Sequence, residues 1–163
     1  LSTLINARAE TAGEKPSFRG AMRHRRCLVP ADGFYEWLGP PGAKRPHLIR
    51  RRDHGVLAFA GIWEHWLGAD GSEIDTMAIL TVPSNAALSW LHDRMPAILQ
   101  PETFEPWLDA AAVPAGAALE MLVPTADDLL DVVEVSKALN DSRNEGPGLQ
   151  TPERQRPESS TLL

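Results

Sequence analysis

Three short stretches of this chain bring together residue types that can move protons or hold anions. In "VPADGFYEWL", residues 29–38, Glu36 sits between Tyr35 and Trp37 in the apolar, aromatic run that follows the turn "ADG". As an extended strand this run puts Phe34, Glu36 and Leu38 on one face and Tyr35 and Trp37 on the other. A carboxylate flanked by apolar neighbours resists ionisation, and its pKa rises toward the range where a glutamate serves as proton donor or acceptor near neutral pH. An ion pair with one of the many nearby arginines is the alternative for Glu36, because a buried charge needs a partner. In "NARAET", residues 6–11, Asn6 offers a donor and an acceptor, and Arg8 falls on the same side of a strand. The two could grip a phosphate and orient a reacting group, or they could be a turn asparagine and a surface arginine. In "LHDRMPAIL", residues 91–99, His92 lies between an apolar stretch and Asp93, where an imidazole can be held and tuned, or can simply cap a helix.

Other chemistries find no support in the spacing. His24, His47, His54 and His65 show no metal-ligand pattern, so no metal is expected. Glycine-rich phosphate loops of the G-x-x-x-x-G-K-[ST] and G-x-G-x-x-G types and a G-x-S-x-G elbow are absent, and no cofactor is implied. The single cysteine, Cys27, cannot form an internal disulfide, and beside Leu28 and Val29 it reads as a packing residue. One thiol, no bilayer-length apolar run and no signal-like start suggest a cytoplasmic protein without a membrane partner.

The elements that must position these residues are short. A helix is expected from near Ser17 to just before Cys27, then a strand Cys27–Val29 stopped by Pro30, the turn "ADG" and a strand Phe34–Leu38. "GPPGAKRP" reads as a loop before a strand at "HLIRR". Val56–Trp66 and Ile74–Val82 read as two longer strands joined by "GADGS". Ser84 or Asn85 can cap a short helix "AALSWL". Glu102–Ala112 and a segment near Ala117 are further helix candidates, and Leu129–Val135 reads as a late strand with a helix as the alternative. Short strands mixed with short helices indicate an α+β fold, mostly antiparallel.

With 163 residues the chain suits one domain, assigned to 1–148, and the Pro-, Gly- and Ser-rich residues 149–163 read as a disordered tail. Charge is unevenly divided. Residues 1–52 carry eleven Lys/Arg against four Asp/Glu, whereas the rest of the chain carries five against eighteen. Such a division suggests a cationic face suited to a phosphate-rich partner, or scattered solvated arginines.

Taken in order, "NARAET", "RRCLVPADGFYEW", "TVPSNA" and "HDRMPAIL" resemble the SOS response-associated peptidase family of abasic-site DNA-protein crosslinking proteins, and "VSKALNDSRNEGP" is similar to its closing motif. The resemblance implies a bifurcated β-pseudobarrel with short flanking helices and a groove for single-stranded DNA containing abasic sites. It further implies a nucleophilic cysteine at the mature N-terminus, freed by removal of the initiator methionine. That cysteine's thiol and amine condense with the ring-opened abasic aldehyde to a thiazolidine. On this resemblance Asn6, Glu36 and His92 are the catalytic positions, and Arg8, Thr81 and Arg94 are the DNA-binding ones. Bound to DNA, the protein would be nucleoid-associated.

The chain starts at "LSTLINARAET", and the family's Met-Cys-Gly-Arg start has no counterpart in it. A missing N-terminal segment or a completing chain is therefore expected as a partner, with exposed strand edges and apolar surface where it is lacking. Without that cysteine the chain would be inactive, so a DNA-binding remnant of the same fold is one alternative function. A peptidase or other hydrolase acting on external substrates is another, although no Ser-His-Asp constellation supports it.

Overall fold

The β-branched and aromatic stretches that alternate across residues 26–83 form most of the strands. A computed structural model describes residues 4–153, so the expected tail from residue 154 onward lies outside the described residues. In chain order the elements are β1 (Asn6–Arg8), α1 (Ala9–Ala12), α2 (Pro16–His24), β2 (Arg26–Ala31), β3 (Phe34–Leu38) and β4 (Arg45–Arg51). There follow β5 (Leu57–Leu67), β6 (Glu73–Pro83), β7 (Arg94–Pro96), α3 (Phe104–Leu108), α4 (Ala115–Glu120) and β8 (Leu130–Glu134). Short 3-10 turns cover Pro101–Thr103, Lys137–Asn140 and Pro147–Gln150, and Pro152 bridges to Val135. The α+β class expected from the sequence is what is found, in two sheets whose ladders are mostly antiparallel. No helix among the described residues is long and apolar enough to cross a membrane.

The larger sheet runs β1-β6-β5-β2 and it forks. The β5–β6 ladder ends at Gly61↔Ile79. Beyond that point residues 94–99 enter between the separated strands: β7 pairs β6 through Thr81↔Pro96 to Pro83↔Arg94, while Phe59 bridges Ile98 on β5. On its other edge β6 carries β1 in parallel, with Asn6↔Ile79 and Arg8↔Thr81. The smaller sheet runs β3-β4-β8. Phe34 of β3 meets Phe59 of β5 edge to face at 5.8 Å, joining the two sheets through the core.

Several boundaries differ from expectation for local reasons. Pro30 does not stop its strand, because β2 is the last strand of its sheet and a residue without an N–H is tolerated on an edge. "AALSWL" forms successive turns instead of a helix. The Ser89 hydroxyl bonds the Ala86 carbonyl at 3.3 Å and the Trp90 indole bonds that of Ala87 at 2.8 Å, taking acceptors that helix amides need. The helix expected over 102–112 ends at Leu108, where the Asp109 carboxylate accepts the Ala111 and Ala112 amides. Leu130–Glu134 is a strand.

The distal half of the β5–β6 hairpin leaves Trp63, Trp66, Leu67, Ile74 and Met77 exposed. With Leu4 and the Phe18 side of α2, several of them line a groove of about 550 Å³. Cys27 pairs with Gly61, and any Cβ at Gly61 would lie 2.8 Å from the Cys27 Sγ. Burial pushes this thiol's pKa up, in keeping with a packing role.

Candidate active site

Two neighbouring strands carry the first part of the site. Antiparallel pairing sets Glu36 directly opposite His47, and His47 opposite Glu134, so the three share the inward face of the smaller sheet with Phe34 and Ile49. His47 is buried, with Nδ1 3.0 Å from the Arg45 carbonyl, and the Trp90 ring meets it edge to face at 5.5 Å. Trp90 belongs to the turn segment 84–92. Asn85 fixes that segment, accepting the Leu88 amide at 3.1 Å and donating to the Thr125 carbonyl at 3.0 Å.

The same segment brings His92 within electrostatic reach of Glu36. Burial is the main influence on the Glu36 carboxyl and raises its pKa, and Asp93 acts in the same direction. The charges of His92 and Lys44 and a hydrogen bond from the Trp37 amide oppose the rise. Among the described residues no arginine pairs with Glu36. His92 has a partner in either protonation state. With the Arg94 amide donating to Nδ1 at 3.0 Å, the neutral ring carries its proton on Nε2. Doubly protonated, Nδ1–H can donate to the Arg94 carbonyl at 3.0 Å, with the Asp93 carboxylate 3.3 Å away.

The remaining expected residues gather on β1 and at the fork. Asn6 and Arg8 are exposed on β1, and Thr81 stands level with Arg8 on β6, its hydroxyl 3.4 Å from the Ala7 carbonyl. Arg94, expected to meet DNA, is engaged inside the protein. Its guanidinium binds both oxygens of Glu10, at 2.5 and 2.9 Å, and the Thr81 carbonyl at 2.5 Å, and the side chain is only 15% exposed. Glu36 with His92 is thus one group, and Asn6 and Arg8 with Thr81 another. The first residue of β7, Arg94, links them by following His92 in the chain and gripping Thr81. Lys44, Trp90 and His47 carry no sequence signal for this site, whereas Asp93 is the neighbour expected beside His92. The β3–β4 register sets His47 opposite Glu36, the hairpin loop carries Lys44 into its electrostatic reach, and Trp90 meets His47.

The Arg94 guanidinium holds the Glu10 carboxyl below the usual glutamate range. A lowered acid stabilises the fold above its unfolded pKa, and that contribution disappears as pH falls through the folded value. Glu10 is half exposed, so the contribution is under about 1 kcal/mol. Glu10→Gln should accordingly lower the thermal midpoint slightly at neutral pH and lose less on acidification, as followed by circular dichroism.

The cationic face expected from charge counts is neutralised in part, with four of its eleven Lys/Arg ion-paired. Arg25 pairs with Glu64, Arg45 with Glu134, Arg50 with Asp131 and Arg51 with Asp53, while Arg26 is buried among carbonyls. Arg8, Lys15, Arg19, Arg23 and Lys44 are exposed and have no ion pair among the described residues.

A family model described as SOS response associated peptidase (SRAP) matches residues 1–142. The chain is 38% identical over 147 residues to the abasic site processing protein YoqW of Bacillus subtilis, covering 90% of this chain and 66% of that protein. It is 34% identical over 168 residues to the abasic site processing protein HMCES of Gallus gallus, covering 90% of this chain and 49% of that one. A crystal structure of a Bacteroides thetaiotaomicron protein superposes with a TM-score of 0.82 at 33% identity, over 91% of this chain and 65% of the other. The chain therefore spans from about half to just under two thirds of the length of these proteins.

Proposed function

Because the chain belongs to the SOS response-associated peptidase family, we propose that it processes abasic sites in DNA, binding them in single strands and supporting a covalent thiazolidine crosslink. The observation that carries this reading is that Glu36 and His92, from different parts of the fold, lie within electrostatic reach of each other. An abasic sugar must open to its aldehyde before it can react, and opening moves one proton onto the ring oxygen and one off the hydroxyl. A carboxyl with a raised pKa beside an imidazole with partners in both protonation states suits that exchange.

The crosslink itself needs an amine and a thiol on one residue. The amine adds to the aldehyde and expels water as the imine forms. The thiolate then attacks the imine carbon, closing the ring with a new C–S bond while the nitrogen regains a proton. Cys27 cannot do this, because its nitrogen is an amide within β2. In this reading the nucleophile is a terminal cysteine freed by self-removal of the initiator methionine. Asn6 orients that terminus, while Arg8 and Thr81 take the phosphates. Arg94 could reach a phosphate only by releasing Glu10, so its main part is to hold Thr81. DNA binding would keep the protein with the nucleoid in the cytoplasm.

Incubation with an oligonucleotide carrying one abasic site, read on native and denaturing gels, tests the reading. A band that survives denaturation and is absent with intact DNA is expected from a form bearing the terminal cysteine. A shift on native gels alone from that form would mean a DNA-binding remnant, and no shift at all would sink the proposal. Affinity should fall as salt rises, by about 0.7 in log–log slope per phosphate neutralised on single strands. Arg8→Ala should reduce that slope by about 0.7 at every sequence, measured by fluorescence anisotropy.

A further inference from the structure

The closing motif "VSKALNDSRNEGP" has no part in the chemistry above, yet it is built with care at the end of the β3–β4 hairpin. The Ser136 hydroxyl accepts the Ala138 amide at 3.3 Å and starts the turn Lys137–Asn140, and the Asn144 side chain donates to the Ala138 carbonyl at 2.8 Å. Asn140 ends that turn. Its Oδ1 accepts the indole N–H of Trp37 at 2.8 Å, and its Nδ2 donates to the Lys44 carbonyl at 3.0 Å. The orientation of the amide follows from chemistry, since an indole N–H can only donate and a carbonyl can only accept.

Both partners adjoin Glu36. Trp37 is its neighbour in β3. Lys44 is the first residue beyond the last hairpin pair, Leu38↔Arg45, and its ammonium is among the charges acting on Glu36. The loop that carries Lys44 is loosely determined by its own sequence: Gly39 and Gly42 adopt φ of +109° and +83°, and a single backbone bond, Ala43 to Pro40, closes it. The second anchor of that loop is Asn140.

We propose that Asn140 is a positioning residue of the Glu36 cleft, its one side-chain amide fixing both Trp37 and the Lys44 turn beside that carboxyl. It touches no reacting atom and acts through Lys44. The groups that face Glu36 are His92 and Asp93 from the turn before β7, Lys44 from the hairpin loop and His47 across the strand pair. Of these, Lys44 alone is tied to Asn140. Releasing the tie lets one cation drift from the carboxyl and leaves the other three groups in place.

The bearing of this on abasic-site chemistry rests on the function proposed above, but the test needs no DNA. With glutamate labelled at the side-chain carboxyl carbon, the Glu36 resonance is identified by its loss in Glu36→Gln, and its titration midpoint is followed by NMR. Asn140→Ala and Lys44→Met are each expected to move the midpoint upward, and the double variant to move it no further than the larger single shift. The Trp37 indole N–H signal, assigned with Trp37→Phe, should move upfield in Asn140→Ala as its hydrogen bond is lost. Asn140 is exposed, so its truncation leaves the core untouched. An unchanged Glu36 midpoint in Asn140→Ala, or full additivity with Lys44→Met, would overturn the proposal. Failure of the function proposed above would appear elsewhere, as no shift of abasic-site DNA on native or denaturing gels by the form bearing the terminal cysteine.

Discussion

Arg26→Ala should unfold on the order of 10 °C below the parent protein, a loss of about 3–5 kcal/mol, which would make it among the most damaging single changes in the chain. Arg26 opens β2, but its guanidinium turns into the core. There Nε bonds the Trp107 carbonyl at 2.6 Å, and the terminal nitrogens bond the carbonyls of Met22, Asp109 and Val113 at 3.2, 2.9 and 3.0 Å. Its carbon Cζ lies 5.6 Å from the centre of the Trp107 ring, itself fully buried and donating its indole N–H to the Cys27 carbonyl at 2.8 Å. Burial lowers the pKa of this arginine while Asp109 opposes the shift, yet an arginine stays charged in either case. Truncation removes four bonds at once and strands carbonyls in a site closed to water, where each unsatisfied acceptor costs about 1–3 kcal/mol. Arg26→Lys should recover only part of the loss, because a point-like ammonium cannot span acceptors that a planar fork reaches together. Urea unfolding of both variants measures this. A midpoint for Arg26→Ala within error of the parent would show that the α3 segment docks without it.

That role was not legible in the sequence, where Arg26 is one cation in the run "RHRR" and counts toward a basic face. Charge counting along a chain cannot tell a solvated arginine from one that ties two segments together, because three of the four acceptors of Arg26 are backbone carbonyls some eighty residues away. The same limit hid the pairing of Arg94 with Glu10. What period-2 patterning could reach, it reached: Phe34–Leu38 is a strand with Phe34 and Glu36 inward, because a one-residue slip would have turned Phe34 away from Phe59. The turn segment before His92 shows where local signals mislead. Asn85 does cap it, as its side chain suggests, but Ser89 and Trp90 withdraw the carbonyls that a helix would use. His92 consequently arrives at the end of a turn and next to β7, which is what carries it to the fork. Lys44 and His47 leave no motif because their closeness to Glu36 depends on register and loop closure, and the closing motif that holds Asn140 does not show its bonds to Trp37 and Lys44.

Glu36→Gln should slow the processing of abasic DNA by about 100-fold or more while leaving affinity for the same oligonucleotide nearly unchanged, since the amide keeps the shape of the side chain and loses only its proton chemistry. A form that carries the terminal cysteine is the one to measure, following adduct formation under single-turnover conditions across pH. The limb of the pH profile that belongs to Glu36 should vanish in the variant, whichever way the proton moves in the limiting step. Stability supplies an independent reading of the same group. A glutamate whose folded pKa is raised stabilises the fold fully below its unfolded pKa, and that contribution is lost as pH rises through the folded value. Above the unfolded pKa this group therefore weighs against the fold, and Glu36→Gln should raise the thermal midpoint at neutral pH while gaining nothing in acid. An inactive variant that is also more stable at neutral pH is the signature of a carboxyl kept for chemistry at the expense of packing. A variant that is both less stable at neutral pH and normally active would instead assign Glu36 a structural place in the sheet.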